Sequence, residues 1–118
     1  MSSPATVRCE RRGDDVVVSL RGELDVFNAA EVTAAVASAV TPDTLGAVLD
    51  LTDVQFLDSS AVRQLFELAG RLVERRQRVH VVTPASSMVL RTLQLVEFSR
   101  AAPMHDTLEA ALAQAGAE

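Results

Sequence analysis

Two hydrophobic rhythms alternate along this chain. Short runs such as "VVVSL" (Val16–Leu20), "AVLDL" (Ala47–Leu51) and "VHVVT" (Val79–Thr83) are rich in β-branched residues and bounded by turn formers, which predicts strands. A near-continuous apolar run like Ala47–Leu51 is expected of a strand buried on both faces. An earlier strand is expected around Thr6–Cys9, joined to Val16 by the turn-like "ERRGDD". Between these runs the period becomes helical. Val32, Val36 and Val40 share one face of a helix over Ala29–Val40, and Asn28 with Glu31 three residues on has the form of a capping box. Val62, Leu65, Phe66, Ala69, Leu72 and Val73 mark an amphipathic helix ending in "ERRQR", where arginines suit the negative end of the helix dipole. Pro84 suits the first turn of a third helix over Ala85–Leu95. A short strand is expected around Arg100–Ala102, and Asp106 with Glu109 opens a last helix through about Ala115.

The order strand, strand, helix, strand, helix, strand, helix, strand, helix implies an α/β fold: a small mixed sheet of about four to five strands packed against about four helices. One domain spans 1–118, with an N-terminal strand and turn in about 1–14 and a tail at 114–118. Functional loops of such sheets lie beyond the carboxyl ends of the strands. Asp58, Ser59 and Ser60, in "FLDSSAVRQL", fall on such a loop, at a helix N-terminus.

Composition narrows the possible chemistry. Hydrophobic residues are 48% of the 118, enough for a real core, yet aromatics are only 3%, so the core is aliphatic and base-stacking platforms are lacking. The formal net charge of -5 is opposite to the basic face a duplex-binding domain carries, so nucleic acid is not an expected partner. All eleven basic residues are Arg; without lysine there is no Walker-type phosphate loop, Schiff-base lysine or Ser-Lys dyad. The lone Cys9 and two separated histidines offer no structural zinc set, and no cofactor is expected. The N-terminus has no apolar signal region and no run approaches membrane-spanning length, so a cytoplasmic setting without a membrane partner is expected.

The serine pair admits two readings of one physical feature. Asp and Ser are preferred helix caps, because they accept from the first free N–H groups. Those N–H groups and the positive dipole end also tolerate a phosphate, which would add charge to an exposed surface without melting the helix. A nucleophilic serine needs a base and an oxyanion hole. There is no Gly-x-Ser-x-Gly elbow, His80 lies in a strand pattern and His105 in a late loop. Asp50, Asp53 and Asp58 suggest a metal site or the acidic region of a receiver domain, but receivers also use a lysine. In "GELD", Gly22 reads as a residue supplying an unusual backbone angle at a strand exit. The "RRQR" cluster reads as a solvated helix end and Cys9 as a strand thiol without activation.

Taken together, "VVVSLRGELDVFNAAEV", "AVLDLTDVQFLDSSAVRQL" and a strand of the "VHVVT" kind resemble the STAS domain of anti-sigma factor antagonists, over about Val16–Ala113. The resemblance implies a domain that is not an enzyme but a switch. The unphosphorylated form binds an anti-sigma factor with serine kinase activity and frees the sigma factor; phosphorylation dissociates the complex, and a serine phosphatase resets it. The serine after the motif aspartate is Ser59 here. Asp58, Ser60 and Asp25 flank it as partner-binding residues, with Asp25 expected nearby in space, and Ala61 and Arg63 belong to the same surface. Where the family usually has a glycine after the two hydroxyl residues, then Leu-Gly, this chain has Ala61, Val62 and Arg63, and its "LVEF" replaces a Thr-Gly-Leu-like turn. Ser60 is read as a local helper or cap. A monomer or weak dimer is expected. The alternative is a non-switching STAS module, acting as a scaffold in a stress-signalling complex or as an accessory subunit of a lipid or anion transport system. A cryptic serine hydrolase ranks third.

Overall fold

The structure, a computed structural model, describes residues 5–117. In chain order it contains β1 (Thr6–Arg12), β2 (Asp15–Leu24), α1 (Ala29–Ala39), β3 (Gly46–Leu57), α2 (Ser59–Glu74), β4 (Arg78–Val82), α3 (Met88–Leu95), a 3-10 turn (Phe98–Arg100), β5 (Met104–His105) and α4 (Leu108–Ala117). β1 is antiparallel to β2; β2, β3, β4 and β5 pair parallel, in the order β1-β2-β3-β4-β5. The expected small mixed α/β sheet is therefore present. Its order differs from the 2-1-3-4-5 order of flavodoxin-like receivers, which removes that reading.

Strand alternation divides the core in two. Val16, Val18 and Leu20 of β2, Ala47, Leu49 and Leu51 of β3, and Val79 and Val81 of β4 join the large apolar cluster with residues of α1, α2 and α3. Their neighbours Val17, Val48 and Val82 face the other way, against Ala111, Leu108 and Leu112 of α4. β3 is thus buried on both faces, as its continuous apolar run predicts. Val32, Val36, Leu65, Leu68 and Leu72 form the buried stripes of α1 and α2. Aliphatic side chains dominate the core; Phe98 is its one fully buried phenylalanine, meeting half-buried Phe66 edge-on at 4.8 Å.

Several expected boundaries move. Asn28 does not complete a capping box: its Oδ1 accepts from the Asp25 N–H (2.9 Å), and its Nδ2 donates to the Glu23 carbonyl (2.9 Å). The residue stabilises the preceding loop instead of the helix end. Pro84 lies outside α3, which starts at Met88 under a Ser87 cap whose Oγ accepts from Val89 N–H. Residues 98–100 form a 3-10 turn, and the edge strand comes later, at Met104–His105. Thr107, not Asp106, caps α4, through Ala110 N–H; Asp106 accepts from Ala85 N–H. Residues 114–117 belong to α4 and form no tail, while residues 1–4 and 118 lie outside the described residues. Val73 is exposed, while Leu68, outside the expected stripe, is buried. In "RRQR", Arg75 and Arg76 are exposed, but Gln77 is buried and its Nε2 donates to the carbonyls of Thr41 and Thr44.

Candidate functional site

β3 outruns β4. Val82, the end of β4, sits opposite Asp50, and from Asp53 to Leu57 β3 continues as a ribbon with β2. The register slips between Ser19 and Arg21 and again between Gly22 and Glu23. Gly22 sits at this irregularity with φ +102°, a backbone region that favours glycine. The slip sets Glu23 opposite Phe56 and Leu24 opposite Leu57. "GELD" and "FLDSS" therefore leave the sheet side by side, although an entire helix separates them in sequence.

Asp58 joins the two exits. Its backbone is extended, and Oδ1 accepts from the Ala61 N–H (2.8 Å), which caps α2. Oδ2 accepts from the Val26 N–H (2.9 Å) in the loop after "GELD". The Asp58 N–H in turn donates to the Leu24 carbonyl (3.2 Å). Asp25 organises the same loop: its Oδ1 accepts from Phe27 N–H (2.9 Å), and its carbonyl accepts from Asn28 and Ala29. Asp25 is thus near Asp58, as the resemblance implies.

The cap is Asp58, so the expectation that Ser60 caps is corrected; Ser60 is half-buried at the second helical position. Ser59 is the first helical residue and is exposed. Positions this early have no intrahelical acceptor for their N–H groups. Ala61 is 0% exposed and packs in the main core, so it presents no side chain to a partner. This also explains why a small residue follows the serines. Arg63 is exposed and stands four residues after Ser59, on the same helix face.

Sequence reading missed the apolar rim. Val26 and Phe27 (90% exposed) project from the "GELD" loop. Phe56 lies half-exposed on β3, and Met88 (76% exposed) shares a shallow crevice with it. The one available signal was the pair of apolar residues directly after Asp25, where a polar turn is the norm.

Asp50 accepts from the Thr52 N–H and hydroxyl, while Asp53 is an exposed strand residue. Among the described residues no group of three His, Cys, Asp or Glu could hold a metal. His80 is buried opposite Val48, ten positions before Asp58 along β3, hence about 30 Å of strand rise from the serines. Its Nδ1 lies 2.9 Å from Nε2 of His105, a pairing that the sequence does not disclose. Cys9 is exposed on edge strand β1, and partial desolvation raises its thiol pKa, away from a reactive thiolate. Among the described residues no helix is long and apolar enough to cross a membrane.

Fold and site together define a small α/β domain that displays an exposed hydroxyl at a helix N-terminus beside an apolar rim. The chain belongs to the STAS domain family, whose profile matches residues 6–111. Its structure resembles that of an anti-sigma factor antagonist from Mycobacterium paratuberculosis, with 27% identity, 98% of each chain covered and a TM-score of 0.79. The fold is shared with the anti-sigma factor antagonist SpoIIAA in its unphosphorylated form, at 21% identity, 92% of this chain, 96% of that one and TM-score 0.66. It is shared equally with the Bacillus cell fate determinant SpoIIAA in its phosphorylated form, at 19% identity, 92% and 98% coverage and TM-score 0.65. No curated protein matches the chain in sequence.

Proposed function

We propose that this chain is an anti-sigma factor antagonist, switched by phosphorylation of Ser59. Unmodified, it docks its apolar rim and the first turn of α2 on an anti-sigma factor that is also a serine kinase, releasing a sigma factor. The kinase supplies ATP and magnesium; a serine phosphatase restores the binding form. The observation that carries this reading is the Asp58 bridge, which ties the start of α2, with Ser59 exposed, to the loop that bears the exposed Val26 and Phe27. An apolar rim beside one hydroxyl is a surface whose affinity a single charge can abolish, because burying a phosphate against apolar groups is costly.

The test uses the anti-sigma factor of the same cell. Ser59→Ala should bind like the wild type and resist release by kinase and ATP. Ser59→Glu should bind at least tenfold more weakly, and intact mass should show one phosphate, on Ser59 only. Two variants that both bind like the wild type, with no mass shift, would refute the switch and favour the non-switching module, to which Arg63 and the absent glycines would then belong.

A further inference from the structure

A second site lies on the far side of α3. Beyond the carboxyl ends of β4 and β5 is an open cavity of about 540 Å³, within the size range of small-molecule pockets. Leu90 and Met104 supply apolar wall, and Thr83, Glu97, His105 and Asp106 supply polar groups. Two carboxylates line it and no arginine does.

Two of these residues are locally unfavourable. Thr83 is 2% exposed, and its Oγ1 has no hydrogen-bond partner. A buried hydroxyl without a partner destabilises a fold. Glu97 follows the C-cap of α3 with φ 56°, ψ 44°, the left-handed position where glycine is usual. It also sets an anion at the negative end of the helix dipole. Arg76 is a useful comparison: it takes the same position after α2 with φ 61°, but with the favourable charge. Arg100 Nε, 3.9 Å from Glu97 Oε1, offsets little, because both side chains are exposed. Residues that break local rules together on one cavity point to a ligand.

We propose that this cavity binds a small organic amine. Its ammonium group pairs with the carboxylates of Glu97 and Asp106, its body rests on Leu90 and Met104, and Thr83 Oγ1 accepts one of its N–H bonds. Asp106 retains its bond from Ala85 N–H (2.6 Å), which leaves its second oxygen for the ligand. His105, bonded to His80, forms a positioned wall beside them. An anionic ligand would meet two carboxylates, and Arg100, which faces Glu97, is not among the residues that line the cavity.

The test is an NMR titration of the full ¹⁵N-labelled chain with phenethylamine, phenylacetate and 2-phenylethanol. It is run at about pH 8, where free imidazole is neutral and an alkylamine is charged. Phenethylamine should give saturable shifts at the amides of Thr83, Glu97 and His105, while phenylacetate gives none and the alcohol binds more weakly than the amine. Glu97→Gly should melt a few degrees higher yet bind phenethylamine about tenfold more weakly. Thr83→Val should move stability and binding in the same two directions. No saturable shift, equal binding of phenylacetate, or variants that bind like the wild type would each overturn the proposal.

Discussion

Asp58 accepts two backbone hydrogen bonds where a helix cap needs one, and the second reaches across to Val26. Asp58→Ala should therefore cost about 1–2 kcal/mol and also free the loop after "GELD". Asp58→Ser separates the two effects. A serine can cap α2 and recover most of the stability, but its single oxygen leaves the Val26 amide open. Hydrogen exchange at Val26 should thus accelerate in both variants, while the melting temperature falls clearly only in Asp58→Ala; unchanged Val26 exchange would contradict the bridge. Arg63 acts on the same turn. A phosphate on Ser59 would lie one turn from its guanidinium, and an opposite charge favours the dianion. The second phosphate pKa, ordinarily about 6, should be depressed in the phosphorylated protein and rise by about half a unit in Arg63→Ala. A ³¹P titration reads this directly; no difference between the two proteins would separate Arg63 from the switch.

At the scale of elements, close backbone approach explains one glycine that composition does not single out. Gly46 opens β3 between Asp15 and Arg78, and a Cβ there would collide with the backbone of Arg78. Backbone cannot step aside as a side chain tip can, so Gly46→Ala should destabilise by about 1–3 kcal/mol, measured by urea unfolding, while Gly70→Ala, with open space around it, should not destabilise. The strands and first two helices were legible because their apolar periods are long and repeat the burial pattern. The ends were not. Asn28 and Asp106 both have cap-forming spacing, yet other backbone partners took their side chains: Asp25 and Glu23 of the preceding loop for Asn28, and the distant Ala85 for Asp106. β5 is too short, at two residues, to carry any period, and its place depends on pairing with Val81 and Val82. The site shows the same division. Ser59, Asp58 and Asp25 follow from motif residues, but Ala61 was misplaced, because its burial depends on how α2 rests on the sheet.

Across the whole molecule, the Ser59 side chain stays at the surface although the main core begins two residues later. Ser59 is exposed on the extended end of the sheet, while Ala61 and Val62, in the same first turn, already pack in the core, and Leu65, Leu68 and Leu72 continue the buried stripe. The cap of α2 is Asp58, so modification of Ser59 leaves the capping bond intact. A phosphate at the first helical position also meets the positive end of the dipole. Opposing these effects is its proximity to the Asp58 carboxylate, whose oxygens are already engaged with Ala61 and Val26. The favourable and unfavourable terms are each about 1 kcal/mol or less at an exposed position, and they oppose one another. The melting temperatures of the Ser59-phosphorylated and unmodified chains should then agree within a few degrees, at low salt and at about 0.15 M salt alike. A partner that releases the phosphorylated form would be responding to charge and bulk on the apolar rim. A fall well beyond that range would mean that release operates by loosening α2, and would move the switch from the surface into the fold.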